Sequence, residues 1–181
     1  IKPIYGIGGR GVIILKGEKD KDMKWLEKGK REKVYNKIKK NFSKKIFKNG
    51  SLMAMELLQD PAYDVDCLSL KNKKITVVRK RINPTGIPYK GNHIINDKIV
   101  ENYCNKIIKV LKLNSLIDID LLTSKNTKKP ILLEVNPRPS GSVVTSYYAN
   151  IPIFSYAIAK ILNKKYSIKT SKHIFKKVIN L

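Results

Sequence analysis

The sequence predicts an α+β protein, and three observations carry that expectation. Stretches with strand alternation and stretches with helical spacing are mixed without a regular β-α-β succession, which argues against a doubly wound sheet. Residues 116–122 and 130–136 flank a polar loop and read as one long hairpin, the signature of antiparallel pairing. The glycine-rich opening, "IKPIYGIGGRGVIIL", runs into Val12-Ile13-Ile14-Leu15, a β-branched run that continues as strand.

Taken in order, residues 1–15 read as strand, glycine loop, strand. Gly6, Gly8 and Gly11 keep a G-x-G-x-x-G spacing around Gly9 and Arg10, which suits any backbone that must reach positive φ or approach a ligand closely. A dinucleotide site would need a helix after the third glycine, with an acidic residue about 20 positions on at the end of a second strand. Asp20 and Asp22 lie instead in a polar, lysine-rich stretch, and no Lys-Ser or Lys-Thr follows Gly11, so neither that site nor a P-loop is indicated.

Between residues 22 and 40, Trp25, Leu26, Val34, Tyr35 and Ile38 recur at roughly helical spacing and predict an amphipathic helix. Asn49-Gly50 punctuates. Residues 51–58 are apolar, Gln59-Asp60-Pro61 signals a turn, and residues 63–69 alternate as a strand. A polar turn at Lys71-Asn72-Lys73 leads to a strand over 74–81, and "NPTGIPYKG" over 83–91 reads as a loop. Ile99, Val100, Tyr103, Ile107, Ile108 and Leu111 predict a helix over 97–111, and residues 151–162 predict a closing helix before a Lys-rich tail.

With 181 residues and 42% hydrophobic content, the chain suits one domain or two small lobes with a real core. Its formal net charge of +24 would attract polyanions, so nucleic acid is one partner class to weigh. The other reading is lysine spread over solvated faces, since the only arginines are Arg10, Arg31, Arg79, Arg81 and Arg138. Cys67 and Cys104 are too few and too far apart for a disulfide framework or a zinc ribbon and fit a reducing, cytoplasmic setting. No apolar run reaches the roughly 18 residues of a membrane span, and no membrane partner is expected.

The hairpin carries the most chemistry. Side chains alternate along a strand, so Asp118 and Asp120 share one face, as do Glu134 and Asn136. Two readings fit: a solvated polar face, or oxygen ligands for a divalent cation, which takes one or two carboxylates together with phosphate oxygens and water. Pro137-Arg138-Pro139-Ser140-Gly141 favours the second, because it sets a guanidinium just beyond the ligands, where an anionic group would lie. Arg79 and Arg81 share a strand face and are candidates to reach a substrate carboxylate or a γ-phosphate; as edge cations they would be equally ordinary.

"KPIYGIGGRG", "MELLQDPAYDVDCL", "LIDID" and "LLEVNPRPSG", in that order, resemble the ATP-grasp superfamily, in particular short proteins similar to the carbamoyl phosphate synthase large chain. The resemblance implies two lobes with a nucleotide between them: a small lobe over 1–50, incomplete at its N-terminus, and a large lobe over 51–181. It implies that Lys2 contacts ATP phosphates, that Gly6, Gly8, Gly9, Arg10 and Gly11 form a lid, and that Glu56, Leu57 and Leu58 form the adenine-reading hinge. Asp120, Glu134 and Asn136 would hold Mg²⁺ or Mn²⁺, with Arg138 as the catalytic cation near the transferred phosphate; Arg79 joins it as a catalytic candidate on the strand-face reading alone. The family often places a glutamate for the ribose hydroxyls where this chain has Ala62, with Asp60 and Asp64 as substitutes nearby.

The implied reaction is an ATP- and Mg²⁺-dependent joining of a small carboxylate to an amine through an acylphosphate. An upstream domain of the same protein is expected as a partner, and the oligomeric state stays open. The alternative is a basic nucleic-acid-binding module on a catalytically inactive ATP-grasp fold.

Overall fold

The computed structural model describes residues 2–5, 12–15, 32–35, 52–70, 73–82, 91–164 and 178–179. The chain divides into two compact units, Ile1–Leu57 and Leu58–Leu181. In the first, β1 (Lys2–Pro3) pairs antiparallel with β4 (Leu52–Met53), and β2 (Val12–Leu15) pairs parallel with β3 (Glu32–Tyr35). The expected strands before and after the glycine loop are present. The helix expected over 22–40 is not what forms at residues 32–35. There the backbone of Glu32–Tyr35 pairs with Val12–Leu15, and valine and tyrosine are residue types that favour strand over helix. The rest of that stretch, including Trp25, lies outside the described residues, as do the loop glycines.

The second unit is built on a six-stranded sheet in the order β10-β7-β6-β5-β8-β9, with every pairing antiparallel. Its strands are β5 (Gln59–Leu70), β6 (Lys73–Arg81), β7 (Asn92–Ile95), β8 (Ser115–Thr123), β9 (Pro130–Asn136) and β10 (Val178–Ile179). The α+β expectation and the hairpin β8-β9 both hold. The turn expected at residues 59–61 is instead the start of β5, where the register against β8 shifts between Gln59 and Tyr63. That irregularity is where a strand tolerates Pro61, which has no N–H to give the ladder.

Between β7 and β8 runs α1 (Lys98–Val110), capped by the Asp97 carboxylate, which accepts from the N–H groups of Ile99 and Val100 at 3.0 and 3.1 Å. Val100, Cys104, Ile107 and Ile108 form its buried stripe. They pack on Tyr63, Val65 and Cys67 of β5, Val78 of β6, and Ile117, Ile119 and Leu121 of β8, which share one face of the sheet. Two further helices, α2 (Thr145–Tyr148) and α3 (Ile153–Ile161), follow β9. Ala149, Ile151, Ile153 and Ala157 cover Leu68, Val77, Ile94 and Leu116 on the opposite face. Among the described residues no helix is long and apolar enough to cross a membrane.

Candidate functional site

The face that carries Leu68, Val77 and Leu116 changes character along the strands. Two residues on from Leu68 toward the start of β5 stands Asp66, then Asp64; their partners across the ladder on β8 are Asp118 and Asp120. Those in turn face Asn136 and Glu134 on β9, and Asp64 faces Arg79 on β6. Four strands therefore deliver Asp64, Asp66, Asp118, Asp120, Glu134, Arg79 and Arg81 to one end of one face. Both β5 and β8 carry an Asp-x-Asp repeat at strand period, and antiparallel pairing sets the two repeats side by side.

Ion pairs and amides knit the patch together. Arg81 donates from Nε to Asp64 Oδ1 at 2.8 Å, pairs with the same oxygen through Nη2, and reaches Asp120 Oδ1 at 3.1 Å. The Asn136 amide donates to Glu134 Oε1 at 3.2 Å and to Asp118 Oδ2 at 3.5 Å. Beyond β9, the Arg138 N–H turns back onto the Asn136 carbonyl at 2.8 Å, and its guanidinium meets Asp118 Oδ2 at 3.3 Å. The Arg138 side chain stays 57% exposed and is able to meet an anionic ligand from solvent. Arg79 is its opposite: 0% exposed, paired with Asp66 Oδ2 at 3.0 Å and donating to the hydroxyls of Ser140 and Ser142.

Among the described residues, acids outnumber bases in this patch. Against Asp64, Asp66, Asp118, Asp120 and Glu134 stand the guanidiniums of Arg79, Arg81 and Arg138. The surplus shows in the protonation of the carboxyls. Burial pushes Asp120 up to about 9, helped by a hydrogen bond and repulsion from Asp64 and by the charge of Asp118. Burial also pushes Asp118 up to about 6, with repulsion from Asp66 and Asp64 added and Arg79 and Arg138 opposing. Asp66 is raised mainly by burial. Asp64 goes the other way: burial works upward, but hydrogen bonds from Arg81 and Asp120 and the Arg81 charge outweigh it. Asp118 Oδ1 is buried with no hydrogen-bond partner among the described residues.

A divalent cation fits such a donor set. It would offset the surplus charge, with Asp120, Glu134 and Asn136 as the oxygen-bearing side chains able to hold it. Among the described residues no three His, Cys, Asp or Glu side chains already converge as a metal-holding group. In this arrangement Asp120 is shared with Arg81, so the fit concerns the chemistry and the shared face of these residues.

One family model matches residues 48–179, that of "ATP-grasp in the biosynthetic pathway with Ter operon". The chain belongs to the ATP-grasp family. ATP-grasp proteins are in general ATP-dependent ligases that work with ATP and Mg²⁺. No curated protein matches the chain. The matched span runs from just before β4 through β10 and holds the whole carboxylate and arginine patch.

Other residues that sequence reading assigned to an ATP-grasp site fall as follows. Lys2 lies in β1 and is half-buried. Glu56 and Leu57 are exposed and Leu58 is half-buried, in the irregular stretch between β4 and β5 where one compact unit gives way to the other. Gly6, Gly8, Gly9, Arg10 and Gly11 lie outside the described residues. Ala62 is buried in β5, and Asp60 is exposed. Asp64, considered for the ribose, is engaged with Arg81 inside the carboxylate patch. Sequence reading missed Asp66, Ser140 and Ser142. The repeated Asp-x-Asp on two strands would have pointed to Asp66 had the pairing of β5 with β8 been known.

Proposed function

We propose that this chain is the ATP-binding part of a Mg²⁺-dependent carboxylate-amine ligase, similar to the carbamoyl phosphate synthase large chain. The observation that carries the reading is the carboxylate surplus on one end of the sheet face, with the exposed Arg138 guanidinium beside it. Asp120, Glu134 and Asn136 would hold Mg²⁺, which would supply charge neutralisation at the phosphates of ATP. Arg138 binds the γ-phosphate and, while a substrate carboxylate oxygen attacks the phosphorus and ADP departs, holds the transferring group in line. An amine nitrogen then attacks the acyl carbon of the acylphosphate, and inorganic phosphate leaves. Lys2 and the loop from Gly6 to Gly11 as ATP phosphate contacts, and Glu56 to Leu58 as the adenine contact, belong to the same proposal on the strength of the motif resemblance. The family description places its members in a biosynthetic pathway, which suits a ligase.

The test is Mg²⁺-dependent release of ADP with Glu134→Gln as the variant. Glu134 is exposed, so the substitution leaves the fold intact while removing a charged ligand. Turnover is expected to vanish. Turnover equal to that of the unaltered chain takes Glu134 out of the mechanism. The nucleic-acid alternative rests on net charge and on Ala62 standing where the family often has a glutamate, and binding that persists at about 0.15 M salt and falls steeply above it is the result that would revive it.

A further inference from the structure

We infer that Arg79 is a positioning residue: buried beneath the polar face, it holds the loop that carries Arg138 through the hydroxyls of Ser140 and Ser142. Sequence reading set Arg79 in direct contact with the reacting groups. At 0% exposure, with one guanidinium nitrogen on Ser142 and the other on both Ser140 (2.8 Å) and Asp66 (3.0 Å), it acts at one remove from any ligand.

The loop from Pro137 to Gly141 joins β9 to the turn before α2. Ser140 and Ser142 each serve it twice. Their hydroxyls receive Arg79, while their carbonyls start the following turn: Ser140 accepts from the Val143 N–H at 3.3 Å, and Ser142 from the Thr145 N–H and hydroxyl at 3.0 and 2.8 Å. A planar guanidinium fork suits this task because it serves two acceptors at once in a fixed geometry, which an ammonium on a flexible stem does not. Asp66 supplies the counter-charge that keeps the buried guanidinium tolerable. Arg138 stands two residues before Ser140, so fixing Ser140 and Ser142 fixes the span from which Arg138 reaches Asp118 and solvent. The role rests on the reading of Arg138 as the phosphate-facing residue; the anchoring itself does not.

Hydrogen exchange of the full chain tests it. With Ser140→Ala and Ser142→Ala combined, peptides covering residues 137–146 are expected to exchange about tenfold faster, while those of α1 stay within about twofold of the unaltered chain. The backbone cross-peak of Arg138 moves toward its random-coil position in the same variant. Each single alanine variant shows a smaller change of the same kind, which keeps the test open should the double variant fold poorly. Gly141→Ala is the control within the loop, since a Cβ there meets nothing within 4 Å; it leaves the exchange of 137–146 as it was. Unchanged loop exchange in the serine variants, or equal acceleration in the loop and α1, overturns the anchoring role. Binding of MgATP is read separately: the double variant weakens it about tenfold if the loop presents Arg138. Failure of the unaltered chain to bind MgATP sinks the ligase reading and leaves the exchange result to decide this one.

Discussion

Alternate residues of the same strands build the two faces of the six-stranded sheet, and the faces solve opposite problems. Toward α1, Val65, Cys67, Ile117 and Ile119 close a dry apolar layer whose burial favours the fold at no electrostatic cost. On the other face, Asp64, Asp66, Asp118 and Asp120 take the equivalent positions one residue along, with Arg79 and Arg81 among them. Charges so placed lose hydration, and the surplus of carboxyls leaves Asp120 holding a proton well above its ordinary range. The pleat thus lets a single strand carry stability on one side and chemistry on the other. The price of the chemical side is met locally by buried ion pairs and, in the proposed function, by a cation.

The largest expected effect breaks the charged face. Arg79→Met strands Asp66 at 0% exposure and is expected to cost about 4 kcal/mol in chemical denaturation. Combining it with Asp66→Leu should recover much of the loss. A single-variant cost under about 1 kcal/mol would mean that the pair is not desolvated as described. On the apolar face, Ile119→Ala removes a fully buried side chain and is expected to cost about 3 kcal/mol, with Mg²⁺ and nucleotide binding unaffected.

The pH response sharpens the comparison further. A carboxyl whose pKa is raised by folding binds more protons folded than unfolded, so its contribution to stability is present at low pH and is lost as pH rises through the folded value. Without cations, Asp118 therefore weakens the fold as pH climbs from about 4 to about 6, and Asp120 continues the decline toward about 9. Asp64, lowered by Arg81, works in the opposite sense and loses its contribution as pH falls below the usual carboxylate range. Asp120→Asn is expected to flatten the decline between pH 6 and 9 and to raise the melting temperature at pH 8. An unchanged slope in that variant contradicts the assignment. The smallest structural effect belongs to the α1 cap: Asp97→Ala is expected to cost about 1 kcal/mol and to leave the carboxylate face untouched.

Much of the second unit was legible because local pattern and tertiary role agree there. Val100, Cys104, Ile107 and Ile108 repeat at helical spacing because one stripe of α1 is buried, and "LIDIDLL" alternates because β8 separates two unlike faces. The start of β5 was illegible since Asp60-Pro61 reads as a turn wherever no bulge accommodates it. β3 was illegible because Val34 and Tyr35 fit a helical stripe as well as a strand, and only the neighbour β2 decides. The candidate site divided in the same way. Asp118, Asp120, Glu134, Asn136 and Arg138 lie close along the hairpin and just beyond it and could be grouped from spacing, while the narrower ligand set of Asp120, Glu134 and Asn136 is what the resemblance implies. Asp66 and the serine anchors of Arg79 could not, since strand order across the sheet brings them together.

The most direct test of the account compares one carboxylate from each side of the sheet. Mn²⁺ titrated into the chain with ATP present, and followed by electron paramagnetic resonance, is expected to bind the unaltered protein and Glu101→Gln alike, since Glu101 sits on α1 beside Lys98. Glu134→Gln is expected to weaken that binding roughly tenfold or more. Equal Mn²⁺ affinity in all three proteins would contradict the claim that the charged face of the sheet is where the cation is held.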